Sequence, residues 1–232
     1  MKITYLGHSG FLVELEKLVM LFDYFQGDIP VCSKDKTWYV FASHRHRDHF
    51  SPKIFQLAEK NENLYFIFSR DIWRSQVPEN LQEKVVQIKA KERWEDENIQ
   101  VETLKSTDEG VAFLVQAEGH VLYHAGDLNN WQWKGESEEW NQKMEEQFKE
   151  CLKPLRGKEI DAAFIPLDPR QEENYSLGMD YFLTLAGGKK VYPMHCWEKY
   201  SIIEQWFAEH PDSPYRENVV KITRRGEEFW QE

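Results

Sequence analysis

A chain of 232 residues with 41% hydrophobic and 30% charged side chains has the composition of a globular protein able to bury a substantial core. Its formal net charge of −11 excludes the dense basic face that an extended nucleic acid backbone requires. Three cysteines without paired spacing argue against a disulfide framework, and no stretch reads as a signal peptide or membrane span, so a cytoplasmic protein with no membrane partner is expected.

The chain opens on three predicted strands, "KITYLGH", "GFLVELE" and "KLVMLFDY", with turns at Gly10 and at Glu16–Lys17. "TWYVFAS" is an apolar β-type run that stops at His44, and Ser51 with Pro52 then predicts a capped helix start. "NLYFIFS" reads as a strand and "RDIWRSQV" as a short helix. Four strands follow, "KVVQIKA", "NIQVETLK", "VAFLVQAEG" and "HVLYHAG". The longest predicted helix runs from Ser137 to about Lys153, with Trp140, Met144, Phe148, Cys151, Leu152 and Leu155 as its apolar stripe and Pro154 at its end. Strand "IDAAFIPL", helix "YFLTLAG", strand "KKVYPM", helix "SIIEQWFAEH" and a last strand "NVVKITRRGEEFW" complete the chain. Strands come first as a meander and later alternate with helices, which predicts a single α/β domain over 1–232. Its economical packing is a four-layer αβ/βα sandwich of two mixed β-sheets flanked by helices.

Three segments bearing imidazole or carboxylate each follow a predicted strand: His44-x-His46-x-Asp48-His49, Asp127 and His195. Ligands collect outside the carboxyl ends of strands in α/β sheets, so residues distant in sequence are expected to serve one site. Imidazole with carboxylate and without thiolate suits zinc, iron or manganese rather than a four-cysteine structural zinc. A pair of ions accounts for the number of ligands: one takes His44 and His46, the other takes Asp48, His49 and His195, and Asp127 bridges.

This ordered set, "SHRHRDH", "HAGD" and "PMH", together with the opening "ITYLGHSGFLVE" and "LFDY", resembles the metallo-β-lactamase superfamily over essentially the whole chain. The likeness is nearest to a branch of predicted bacterial metal-dependent hydrolases related to ascorbate-phosphate lactonases. The resemblance implies the αβ/βα fold and the six ligands His44, His46, Asp48, His49, Asp127 and His195. Family members usually place a further histidine near "LKSTDEG", yet none occurs between His49 and His120. Asp108 is there either as a replacement carboxylate or as a turn residue before Gly110.

Other residues divide between two readings. His8 and His124 are partners that orient ligands or substitutes for the absent histidine, with a structural role favoured for His124. Asp23 hydrogen-bonds a liganding imidazole or ends a strand. Asp168, Arg170 and Tyr175 contact substrate or form an ordinary turn, and Trp131 and Trp133 wall a cleft or pack in the core. Arg45 and Arg47 attract an anionic substrate or are plain surface.

The expected function is a metal-dependent hydrolase that turns a metal-activated water on an ester, lactone or phosphodiester of a small, anionic molecule. Asp48 serves as a ligand that also orients the nucleophile. One or two divalent transition ions are implied, zinc first, with manganese or iron as alternatives. An iron-dependent oxidoreductase and a non-catalytic metal-binding protein are the rival readings on the same fold.

Overall fold

The apolar runs become strands in the computed structural model, which describes residues 1–231. Two compact units emerge, one of residues 1–89 with the segment from Arg224 on, the other Ala90–Thr223. In the first, β1 (Lys2–Gly7), β2 (Gly10–Glu14) and β3 (Leu18–Phe22) form an antiparallel meander, and β4 (Thr37–Ala42), β5 (Leu64–Ser69) and β6 (Val85–Ile88) then add in parallel. The second unit contains β7 (Arg93–Glu95), β8 (Ile99–Lys105), β9 (Val111–Ala117), β10 (His120–His124), α1 (Glu138–Leu152), β11 (Ala162–Pro166), α2 (Leu177–Leu185), β12 (Lys190–Met194) and α3 (Ser201–Glu209). The chain then returns to the first unit, where β13 (Glu227–Trp230) pairs antiparallel with β1.

The first sheet has the order β13-β1-β2-β3-β4-β5-β6, and the second β12-β11-β10-β9-β8-β7. Strand composition explains the mixture. Strands with parallel neighbours, such as "LVMLF" and "AAFIP", are buried along their whole length, and a strand covered on both faces must be apolar at every position. β9 and β10 instead meet in a two-residue turn, Glu118–Gly119, with φ of 48° and 79°, the left-handed pair that matches strand twist in a tight hairpin. β1, β3, β4, β5 and β6 run one way in the first sheet, as β8, β10, β11 and β12 do in the second.

The first unit's core interleaves aromatic rings edge to face, Phe50 on Phe68 at 5.5 Å and Phe55 on Phe66 at 5.3 Å. In the second unit Phe182 of α2 stacks on Tyr123 of β10 at 5.5 Å, and α3 buries Trp206, whose indole N–H donates to Asp180 of α2 at 2.8 Å. Burial of each such side chain contributes roughly 1.5–3 kcal/mol. Among the described residues, no helix is long and apolar enough to cross a membrane.

Three local expectations are corrected. Ser51 does not cap with its hydroxyl; its carbonyl accepts from Ile54 N–H at 3.1 Å, and the i→i+3 pattern makes Pro52–Glu59 a 3₁₀ helix. Of "RDIWRSQV" only Arg74–Gln76 forms a 3₁₀ turn, because Trp73 is extended. The last predicted strand is two pieces: Val219 bridges Val191 in the second unit, Gly226 turns at φ 72°, and only Glu227–Trp230 joins the first sheet. The sequence pattern also passes over the short β7.

Gly178 in α2 shows how tightly a helix can sit on a loop. A Cβ there would meet Asn129 Oδ1 at 1.8 Å and Asn130 N at 3.2 Å, and Asn129 is fully buried with its amide bound to Gln171 at 2.8 Å. Helix propensity alone makes Gly→Ala stabilising, but this clash wins. Gly178→Ala is expected to cost about 1–3 kcal/mol and lower Tm by several degrees; thermal melts that show an unchanged or raised Tm would refute the tight fit.

Candidate functional site

In each unit the chemistry-bearing residues leave strands that run in one direction. His8 follows β1, Asp23 follows β3, and Ser43–His44 follow β4. In the second unit Asp108 comes after β8, Asp127 after β10, Asp168 after β11 and His195 after β12. Parallel direction therefore delivers each set to one edge of its sheet.

Asp23 organises the first set. It is fully buried, and its Oδ1 accepts from Ser43 N–H at 2.7 Å while Oδ2 accepts from the Ser43 hydroxyl at 2.6 Å and from His49 Nδ1 at 2.7 Å. A carboxylate only accepts, so the single hydroxyl proton of Ser43 is committed to Asp23. The Ser43 oxygen must then accept from Nδ1–H of His44, 2.9 Å away. Both imidazoles are thereby held as the Nδ1–H tautomer, with the Nε2 lone pair presented outward.

His44 Nε2 lies 3.0 Å from Nδ1 of the exposed His46. Asp48 Oδ2 lies 3.2 Å from His8 Nε2 and 3.9 Å from His49 Nε2, and the donor atoms of His8, Asp48 and His49 are all within 4.8 Å of one another. Burial disfavours the Asp48 anion, but the hydrogen bond from His8 outweighs it and holds the carboxyl well below the usual range.

The second set repeats the device. His195 Nδ1 donates to Asp168 Oδ2 at 2.9 Å, which leaves Nε2 3.4 Å from Asp127 Oδ1. Asp168 is fully buried, and Arg170 grips it through Nε at 2.9 Å and a terminal nitrogen at 2.5 Å. Burial again opposes the anion, while the bonds from His195 and Arg170 prevail and bring the carboxyl down to about 2. The Arg170 guanidinium also lies over the rings of Trp197 at 4.6 Å and Trp133 at 5.8 Å.

Asp108 is exposed and donates its N–H to Ser106 Oγ at 3.1 Å, a turn role, yet its carboxylate also comes within 4.8 Å of that of Asp127. Thr107 ties the two loops: its hydroxyl donates to Asn129 O at 2.6 Å and accepts Asn129 N–H at 3.0 Å. His124 is buried and accepts Gly126 N–H on Nδ1 at 3.1 Å, so it shapes the turn that presents Asp127. Tyr175 is brought to Glu209 instead of to the donors; its buried hydroxyl donates there at 2.6 Å. Cys196 is buried, and desolvation pushes its thiol far up, so it supplies no thiolate.

The residues present fit a divalent ion. Neutral imidazole Nε2 atoms and carboxylate oxygens are the donors first-row ions take, and an Nε2 lone pair beside Asp127 Oδ1 sets two acceptors together, an arrangement a cation stabilises. Residue types at strand ends point to the imidazoles and carboxylates gathered here, but Ser43, Thr107 and Trp197 carry no such signal. Asp168, expected as a substrate contact or turn residue, is the carboxylate that holds His195.

The profile of the beta-lactamase superfamily domain matches residues 2–139. A metal-dependent hydrolase of Alkaliphilus metalliredigens is 25% identical over 218 residues, 84% of this chain and 85% of that protein. A solved structure from Parabacteroides distasonis superposes with a TM-score of 0.63 at 17% identity, over 94% of this chain and 90% of that one. The metallo-beta-lactamase fold protein YhfI of Bacillus subtilis gives a TM-score of 0.63 at 14% identity, over 99% of both chains. These likenesses concern the fold, and they agree with two mixed sheets flanked by helices.

Asp23→Asn keeps the shape but removes the anion that holds His49 directly and His44 through Ser43. Zinc affinity is expected to fall about 10–100-fold, read by competition with a chromogenic chelator. An unchanged affinity would show that these bonds do not prepare ligands.

Proposed function

Because the chain belongs to the beta-lactamase superfamily domain family, we propose that it is a metal-dependent hydrolase acting on an ester, lactone or phosphodiester of a small molecule. The observation that carries this reading is the fixed tautomer of His44, His49 and His195, each with Nδ1 tied to oxygen. A structural role needs no such uniformity, whereas a metal ligand does. The residues that would hold ions are His44, His46, Asp48 and His49 in the first unit and Asp108, Asp127 and His195 in the second.

When bound, a divalent cation supplies a Lewis acid that polarises the oxygen under attack and acidifies water toward neutral pH. The protein's own groups do the rest. Asp23 and Asp168 hold the Nδ1 atoms of His49 and His195, so that Nε2 is the atom each ring would present to an ion. Asp48 stays an anion, so it orients water by accepting its hydrogen bond instead of storing the proton. Arg170 keeps Asp168 charged and in place.

His195→Ala is expected to lose a metal ion, read as stoichiometry by plasma mass spectrometry on anaerobically purified protein. Retention of the full metal content would remove His195 from the ligand set. A panel of esters, lactones and phosphodiesters then tests the reaction, and iron-only loading with no hydrolysis anywhere in the panel would overturn the hydrolase reading.

Asp108 decides the character of the first ion. An anionic oxygen ligand beside two imidazoles favours manganese or iron relative to a third histidine. Asp108→Ala is expected to lower occupancy of one ion and spare the other, and Asp108→His to shift preference toward zinc. Identical stoichiometry and preference in both variants, at matched free metal, would leave Asp108 as the turn residue its bond to Ser106 also makes it.

A further inference from the structure

Beside Asp127 lies an aromatic cavity that none of the roles above uses. The cavity has a volume of about 220 Å³, against about 530 Å³ for the groove that includes Cys151.

Trp131, Trp133, Trp140, Met144 and Arg170 wall the cavity, and its lining reaches Asp108 and Asp127. All of these residues belong to the second unit. The walls are built before any ligand arrives. Trp131 is buried with its indole N–H on Asp127 O at 2.9 Å, and its ring lies parallel to that of Trp133, 5° apart in plane and 5.7 Å between centroids. Asn141 of α1 clamps Trp133 from both sides of its backbone, accepting its N–H at 3.0 Å and donating to its carbonyl at 3.0 Å. Trp133, Trp140 and Met144 are nonetheless only half-buried. Rigid apolar surface left facing a cavity, next to residues assigned to a reaction centre, has the chemistry of a ligand subsite.

Two occupants suit aromatic walls, a flat neutral ring or an organic cation. The cation's place over the Trp133 face is already held by Arg170, at 5.8 Å, and its guanidinium charge repels a second cation. We propose that this cavity binds a neutral aromatic ring carried by the substrate, so that the preferred substrates are aryl-bearing esters, lactones or phosphodiesters. The proposal rests on the hydrolase reading above for the word substrate, but the cavity's affinity for a ring does not.

The test separates the two. Binding of 2-phenylacetamide, cyclohexylacetamide, acetamide and tetramethylammonium to the full-length, metal-loaded protein is measured by ligand-observed NMR titration. Phenylacetamide is expected to bind at least about tenfold more tightly than acetamide and more tightly than its cyclohexyl counterpart, and to weaken about tenfold in Trp133→Ala. Met144→Trp, which fills the cavity without removing a wall, is expected to weaken it as much. Equal binding of the phenyl and cyclohexyl probes, stronger binding of tetramethylammonium, or no effect of Met144→Trp would each overturn the proposal. Phenylacetamide binding as expected, with no hydrolysis of any ester, would leave the cavity assignment standing and sink the hydrolase reading. Hydrolysis of acetyl and phenylacetyl esters with the same kcat/KM would do the reverse.

Discussion

A carboxylate sealed from water accepts the Nδ1 proton of an imidazole twice in this protein, Asp23 from His49 and Asp168 from His195, and each unit's chemistry is arranged around that bond. A buried anion costs several kcal/mol unless it is paired and hydrogen-bonded. Asp23 offsets that with Ser43 and His49, and Asp168 with His195 and the Arg170 fork. The same bonds that make the anion tolerable fix the imidazole tautomer, so stability and chemical readiness have one cause. Neither carboxylate can be removed without leaving its partners buried and unsatisfied.

The backbone carries a matching constraint. His8, Asp23 and His195 have φ of 54°, 41° and 63°, in the left-handed region that non-glycine residues avoid at about 1–3 kcal/mol each. Each is the residue immediately after a strand. Continued pleating would send successive side chains to alternate faces of the sheet. A left-handed residue interrupts that alternation and turns its side chain toward the sheet edge instead. The strain persists because its surroundings overdetermine it: Asp23 N–H is held by Phe41 O at 3.0 Å while its carboxylate holds Ser43.

How much was legible follows from what each residue needs. Strand runs and the polar residues that end them are local, so the imidazoles and carboxylates at strand ends and most elements could be read from periodicity and residue type. Asp23, a carboxylate closing a wholly apolar strand, was readable as an imidazole partner or a strand-end turn, and its bond to His49 gives it the first role. Ser43 was not, since its role depends on where one hydroxyl proton goes, and Asp168 could be seen as polar but not paired, because His195 lies 27 residues on. Tyr175 could likewise be seen as a loop residue but not paired, because its partner Glu209 is 34 residues away. The run "NVVKITRRGEEFW" has uniform β propensity, and only tertiary pairing divides it between two sheets.

That division bears on how the protein is made. β1 leaves a ribosome long before β13, but one of its two edges is satisfied by β13, with Lys2 opposite Trp230. Pairing across almost the full chain has the longest contour any ladder here can have, and such closures are the slow ones. Throughout synthesis β1 therefore carries a row of open N–H and C=O groups, a template for another nascent chain. Lys2, which forms an ion pair with Glu228 at 2.7 Å once β13 docks, places charge on that edge at the stage when it is most exposed to mispairing.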